Sequence, residues 1–401
     1  MVPPDMDRQR TVMIVAGEAS GDLHGASLVH EMKALDPSLT FCGVGGKRLE
    51  AEGVRLAAHS SDMAVVGLTE VFSKLRHIAG VFFRLRRMLR EERPRLLILI
   101  DYPDFNLPLA SAAKRAGVKV FYYISPQVWA WRKKRIHRIR RVVDRMAVIL
   151  PFEKAVYAEM GVEVDFVGHP LLDSVKRTRT REQAMASFGL RDTWPTVALL
   201  PGSREKEVTS LLPEMLAAAA ILTRDFEGAQ FVLPLADTVD PGLVGVIIGK
   251  QPVPVTVLPG QIYDAVGISD AAMVASGTAT LETALLETPM VIAYRTSPLT
   301  AAIGKRVVRV DHFGLVNIIA GKAVVPELFQ DDATAENLAA EVKAILCDRA
   351  RHDAIRSDLA GVREKLGEPG AARRAAEIAL GLMKTGTRGQ GPGTGVEGEK
   401  T

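Results

Sequence analysis

Leu96-Leu97-Ile98-Leu99-Ile100-Asp101-Tyr102-Pro103-Asp104-Phe105-Asn106 is the stretch on which the fold turns. Five aliphatic residues in succession make a strand-sized run without polar alternation, the mark of a strand covered on both faces. The run stops on a carboxylate and a helical pattern follows. The same layout recurs on either side. Thr11–Val15, Thr40–Val44, Lys119–Ile124, Met146–Leu150 and Val162–Val167 read as strands, and a helix is expected from about Asp22 to Leu35. Lys176–Glu182 is polar, rich in Arg and Thr, and reads as a linker. The alternation then restarts with Thr196–Leu200, a helix from about Glu207 to Arg224, Phe231–Leu235, Thr256–Leu258, Ala272–Ala275 and Val291–Tyr294. Buried strands separated by helices predict an α/β fold of two Rossmann-like, doubly wound domains facing a cleft, with C-terminal helices. The expected divisions are residues 1–175, 176–365, a helix over 366–384, and a disordered tail over 385–401. Thr334–Met383 reads as helical with one break around Gly367–Gly370.

Composition narrows the classes. The chain has 401 residues, 47% hydrophobic and 24% charged, which excludes a disordered chain, a collagen-like fibre and a coiled coil. Two cysteines, Cys42 and Cys347, exclude a disulfide scaffold and a Cys-rich zinc site. Aromatics at 5% speak against stacking platforms for single-stranded nucleic acid. Met1–Arg10 is polar and lacks the apolar core of a signal peptide. No run approaches the ~20 apolar residues that span a bilayer. The expected location is therefore cytoplasmic, with any membrane contact peripheral. The net charge of +4 does not by itself choose between nucleic acid, phosphate and an anionic membrane. Its excess lies largely in Lys74–Arg93 and Arg132–Arg141.

Ligands of doubly wound folds bind at the carboxyl ends of the strands, so the residues there carry the chemistry. After the first strand comes Gly17-Glu18-Ala19-Ser20-Gly21-Asp22-Leu23-His24-Gly25. Small residues expose N–H groups at a helix N-terminus, which suits anions and hydroxyl-rich ligands. The dinucleotide pattern G-x-G-x-x-G is absent, which disfavours NAD. A plain strand–helix turn capped by Ser20 or Asp22 is the other reading. Asp101 ends a buried strand, where partial desolvation would raise its pKa and make it a base for a hydroxyl. A capping role stays open for Asp101, and Asp104 reads as a helix cap.

Ser125-Pro126-Gln127-Val128-Trp129-Ala130-Trp131 runs into the basic cluster, which is either a phosphate or anionic-surface site or a solvated helix. In the second half, Leu200-Pro201-Gly202-Ser203-Arg204-Glu205 and Ala275-Ser276-Gly277-Thr278-Ala279-Thr280-Leu281-Glu282 each take a strand through a small-residue turn into a helix. Gly202 allows close backbone approach and Arg204 offers a planar fork for phosphate oxygens. The Ser276–Thr278 turn would hold a diphosphate, and Glu282 could accept from a ribose diol. Val71–Arg90 is amphipathic and basic: a core helix with a solvated face, or an interfacial helix on an anionic bilayer.

These motifs, with Leu150-Pro151-Phe152-Glu153-Lys154, Phe166-Val167-Gly168-His169-Pro170 and Leu315-Val316-Asn317-Ile318-Ile319-Ala320-Gly321, run collinearly from about residue 11 to 380. The chain closely resembles the lipid-A-disaccharide synthase family, inverting glycosyltransferases of the GT-B class. The resemblance implies transfer of 2,3-diacylglucosamine from its UDP conjugate to 2,3-diacylglucosamine 1-phosphate, giving a β-1,6-linked disaccharide 1-phosphate and UDP. It implies Asp101 as the base. Gly202, Ser203, Arg204, Ser276, Gly277, Thr278, Glu282 and Asn317 would face UDP. Glu18, Ser20, Gly21, Asp22, Gln127 and Trp129 would face the acceptor. Acylated substrates add the inner-membrane surface as a partner and make Val65, Val66, Leu68, Phe72, Leu75, Phe82 and Phe83 lipid-contact candidates. No D-x-D-type motif stands beside the phosphate site, so no metal and no cofactor are expected. A homodimer with exchanged C-terminal segments stays open. Two alternatives remain: a UDP-sugar 2-epimerase on the same fold, and a basic nucleic-acid-binding protein using Arg132–Arg141.

Overall fold

The computed structural model describes residues 10–63, 71–126, 135–251, 253–296 and 312–384, with the side chains of 71–75 left aside. The expected tail over 385–401 lies outside the described residues, as do Val65, Val66, Leu68, Gln127 and Trp129. The chain divides into two compact units, Met1–Pro170 with Gly370–Thr401, and Leu171–Pro369. The boundaries thus fall five residues before and four after the expected ones.

The first unit runs β1 (Thr11–Ala16), α1 (Ala19–Leu35), β2 (Thr40–Gly45), α2 (Lys47–Ala51), β3 (Arg55–His59) and α3 (Val71–Glu91). It continues with β4 (Leu96–Ile100), α4 (Pro103–Arg115), β5 (Lys119–Tyr123), α5 (Arg135–Val142), β6 (Arg145–Val148), α6 (Glu153–Glu159) and β7 (Asp165–Phe166). Seven strands form one parallel sheet in the order β3-β2-β1-β4-β5-β6-β7. The central strands are buried along their length because helices cover both faces, which is why Leu96–Ile100 carries no polar alternation. On one face Met13, Leu97, Leu99 and Tyr122 pack against Leu85 and Leu89 of α3, Leu109 of α4, and Ile136 and Ile139 of α5. Only two residues of Val162–Val167 pair as strand, so the last strand is shorter than expected.

The second unit comprises α7 (Leu171–Ser174), α8 (Arg181–Phe188), β8 (Thr196–Leu200), α9 (Glu205–Asp225), β9 (Gln230–Leu235), α10 (Pro241–Ile248), β10 (Val255–Pro259), α11 (Ile262–Gly267) and β11 (Ala271–Ala275). Then follow α12 (Thr278–Leu285), β12 (Met290–Tyr294), α13 (Leu315–Ala320), β13 (Glu327–Phe329), α14 (Ala335–Cys347) and α15 (Arg349–Lys365). Its six parallel strands are ordered β10-β9-β8-β11-β12-β13. The polar stretch expected as a linker is fastened to this unit. Asp264 accepts from Thr178 N at 2.7 Å, Thr178 Oγ1 at 2.6 Å and Arg179 Nη1 at 3.1 Å, and Thr180 opens α8 with a capping box.

The chain then returns to the first unit as α16 (Ala371–Lys384). Ala375, Ala376 and Ala379 are fully buried and let the helix lie close on α1. Arg374 Nε and Nη2 donate to Val167 O at 2.9 and 2.7 Å, and Arg95 Nε and Nη2 donate to Met383 O at 3.0 and 2.7 Å.

Candidate active site

Each sheet has one point where the chain reverses its direction of winding. In the first unit that point lies between β1 and β4. Ala16 is in register with Ile100, so the turn after β1 and the turn after β4 leave the sheet side by side. Gly17 is required there: a Cβ would stand 2.5 Å from Cδ1 of the Tyr102 ring. Tyr102 in turn donates from its hydroxyl to Met63 O at 3.3 Å.

Asp101 follows β4 directly and is half-buried. Burial first, and the neighbouring Glu18 carboxylate second, push its pKa up to about 6, against a hydrogen bond from the Tyr102 N–H. A carboxylate with that affinity is ionised at neutral pH yet holds a proton better than an ordinary aspartate. Glu18 and Ser20 are exposed at the start of α1, and Gly21 is buried beneath them.

Asp22, expected at the acceptor, is engaged with a neighbouring turn. Only 6% exposed, its carboxylate accepts from Gly46 N at 2.6 Å, Arg48 N at 3.1 Å and Leu49 N at 3.2 Å. It caps α2, and its lone pairs are committed to that neighbouring turn. The same unit holds two neighbouring histidines, His24 and His169, that sequence reading did not assign. Burial lowers His24 to about 4 and, with His24 as a further cause, His169 to about 3, so both are neutral at physiological pH. The signals were present in Gly17–Gly25 and in Gly168-His169-Pro170, but a buried histidine is not distinguishable from an exposed one by spacing.

The second unit repeats the arrangement between β8 and β11. Leu200 is in register with Val274, which brings Pro201–Arg204 and Ser276–Thr278 to adjacent positions on one edge. Both turns open helices, where the N–H groups of the first two helical residues precede any intrahelical acceptor, while Glu207 N and Thr280 N already donate to Arg204 O and Gly277 O. Gly202 has φ +118°, and a Cβ there would collide with Glu207 Oε2 and stand 2.6 Å from Glu207 Cβ. Glu207 accepts from Ser203 N at 3.1 Å and from Arg204 Nη1 at 3.0 Å, while Thr238 Oγ1 donates to Ser203 O at 2.7 Å. These contacts shape the turn and leave the Arg204 side chain 77% exposed. Gly277 and Thr278 are exposed too, and Thr280 Oγ1 closes the turn on Gly277 O at 2.8 Å. Glu282, one turn into α12, receives the Tyr263 hydroxyl on Oε1 at 3.0 Å, and burial raises its pKa. Tyr263, pushed up to about 12 mainly by burial, is a donor here and was not foreseen.

Asn317, expected at the UDP site, has its side-chain amide engaged within the chain. It is fully buried, its Nδ2 donates to Val325 O and Glu327 Oε1, both at 2.8 Å, and its Oδ1 accepts from Val324 N at 2.8 Å and Val325 N at 3.1 Å. The amide is spent on joining α13 to the loop before β13.

In α3, Val81, Leu85 and Leu89 are core, and Phe82 packs edge-on against Phe105 at 5.8 Å between centroids. Phe83 is 61% exposed among Arg84, Arg87 and Arg90. The side chains of Phe72 and Leu75 are outside the described residues. A groove of about 920 Å³ between β3 and α3 has Ala57, Ala58 and Val81 in its floor and Arg76, His77 and Arg84 at its rim. Among the described residues no helix is long and apolar enough to cross a membrane.

Two parallel, doubly wound sheets with small-residue turns at both reversal points are the architecture of GT-B glycosyltransferases and UDP-sugar epimerases. The UDP-GlcNAc 2-epimerase of Neisseria meningitidis, solved bound to UDP-GlcNAc, matches with a TM-score of 0.59 over 94% of this chain and 100% of its own, at 11% identity. The glycotransferase of kitacinnamycin matches with a TM-score of 0.60 over 93% and 98%, at 15% identity. At such identities the likeness establishes the fold. The family model of lipid-A-disaccharide synthetase matches residues 12–381. The lipid-A-disaccharide synthase of Syntrophus aciditrophicus is 57% identical over 376 residues, covering 94% of this chain and 98% of its own, and that of Geobacter sulfurreducens is 50% identical over 372 residues, covering 93% and 97%. The chain belongs to the lipid-A-disaccharide synthase family.

Proposed function

We propose that the chain transfers 2,3-diacylglucosamine from UDP-2,3-diacylglucosamine to the 6-hydroxyl of 2,3-diacylglucosamine 1-phosphate, with inversion. Family membership supports the reaction, and the placement of Asp101 at the reversal point carries the mechanism. The Asp101 carboxylate takes the proton of the 6-hydroxyl as its oxygen attacks the anomeric carbon. The bond from that carbon to the UDP oxygen breaks, UDP departs with the electron pair, and Asp101 later returns its proton to solvent. Arg204 and the first-turn N–H groups of α9 and α12 meet the negative charge on the departing diphosphate. Glu282 accepts from the ribose diol, and Glu18, Ser20 and Gly21 border the acceptor. UDP release measured with the purified chain and both lipid substrates tests this reading. UDP should appear in step with the disaccharide and only when the acceptor is present. Conversion of UDP-GlcNAc alone would instead favour an epimerase.

Arg204→Ala should weaken UDP binding about tenfold, the loss of one charge-assisted contact near solvent. Calorimetric titration with UDP checks it; an unchanged affinity would remove Arg204 from the diphosphate site.

Both substrates carry acyl chains, and this supports peripheral association with the anionic inner-membrane surface through the exposed part of α3. Phe83→Ser should keep the melting temperature, as a surface change does, and reduce partitioning to anionic phospholipid vesicles. Phe82→Ser should cost about 2 kcal/mol, because that ring is half-buried and packs against the core. Unchanged partitioning of Phe83→Ser would take the helix off the membrane.

A further inference from the structure

We propose that Asn106 and Tyr122 are positioning residues for the base, gripping the main-chain carbonyl of Asp101 so that its carboxylate is aimed out of the sheet. The inference rests on the reading of Asp101 as base and adds two residues that never touch substrate. Its starting point is backbone strain. Asp101 has φ +43°, Tyr102 +45° and Ile124 +64°, three non-glycine residues in the left-handed region at one carboxyl edge. A side chain disfavours that region, and consecutive residues persist there only when their surroundings impose it.

The surroundings are on hand. Asn106 Nδ2 donates to Asp101 O at 2.7 Å and to Ile100 O at 3.1 Å. The Tyr122 hydroxyl donates to the same Asp101 oxygen, and Asp101 N donates to Ile124 O at 3.3 Å. The chain just past Ile100 is thus held by its N–H on Ile124 and by its carbonyl on Asn106 and Tyr122. Two carbonyl oxygens converge on one nitrogen, and the two hydrogens of the amide –NH2 group satisfy both. The arrangement has a cost. Asn106 is fully buried, and its Oδ1 finds no hydrogen-bond partner among the described residues. A buried acceptor left unsatisfied is uncommon in a fold chosen for stability alone and clusters with function. Tyr122 is fully buried as well, and burial raises its pKa well above the ordinary value, so it stays a donor at every working pH.

A double-mutant cycle tests this. Tyr122→Phe keeps the ring that packs against the core and removes the hydroxyl. Its kcat should fall about tenfold, with KM for both substrates and UDP affinity within twofold of wild type. On the Asp101→Asn background the same change should leave the residual rate unaltered, because Tyr122 acts through Asp101. Asn106→Asp sets a carboxylate against two carbonyl oxygens, and its kcat should fall at least as far in protein shown to be folded by circular dichroism. A kcat for Tyr122→Phe within twofold of wild type, or an equal further loss on the Asp101→Asn background, would overturn the proposal. If Asp101→Asn itself retained the wild-type rate, the base assignment would fall instead, so the two failures are told apart.

Discussion

Asp101→Asn is expected to lower kcat by about 10²–10⁴-fold, the range for removing a general base, and at the same time to stabilise the protein. The two effects share one cause. Burial and the Glu18 carboxylate raise Asp101 to about 6 from an ordinary 3.8. Between those values the folded chain binds more protons at this site than the unfolded chain, so stability falls as pH rises through the window. Above pH 6 the whole penalty is present, up to about 3 kcal/mol for a shift of that size. Asparagine removes it. The variant should therefore melt a few degrees above wild type at pH 7.5, and the difference should vanish toward pH 4. The wild-type rate should fall about tenfold per pH unit below about 6, as the base becomes protonated. Calorimetry and a pH–rate profile on one preparation check both halves. A variant with a normal rate, or one less stable than wild type at pH 7.5, would refute the assignment.

Asn317→Ala is expected to act on stability. The substitution leaves the Val324 and Val325 N–H groups without their acceptor and takes one of the donors from Glu327, which also receives Phe313 N at 3.0 Å and Gly314 N at 2.9 Å. Orphaning buried groups of this kind costs about 3 kcal/mol in sum. For a unit of the length of Leu171–Pro369, that lowers the midpoint by roughly 6–12 °C. A melting temperature within 2 °C of wild type, taken as roughly the shift of a neutral surface change, would show that the amide is free to serve a ligand.

The fold was legible wherever burial acts on both faces of a strand. Leu96–Ile100 and Ala271–Ala275 announce themselves because no polar alternation survives inside a covered sheet. The edges were not legible. β3 and β13 are half-exposed, end in polar or aromatic residues and resemble loop. The break between α14 and α15 also passed unseen, since Asp348 caps the second helix on Arg351 N at 3.0 Å without a glycine or proline to mark it.

The site divides in the same way. Its location follows from topology: turns after β1 and β4, and after β8 and β11, are brought together by strand order alone. What a polar side chain faces does not follow. Asp22 and Asn317 stand in motifs beside apparent ligand residues, yet both serve backbone groups that only folding brings near. Phe82 and Phe83 are adjacent in sequence and separated by burial. Periodicity marks a helix as amphipathic, but it does not say where the core ends along the helix.

The most direct test of the central claim is the anomeric configuration of the linkage made by the purified chain. The proposed single displacement, with Asp101 as base, inverts the α-linked UDP sugar, so proton NMR of the disaccharide 1-phosphate should show a β-1,6 linkage formed in equal amount with UDP. An α linkage would require a different mechanism, and no disaccharide from both lipid substrates would contradict the account at its root.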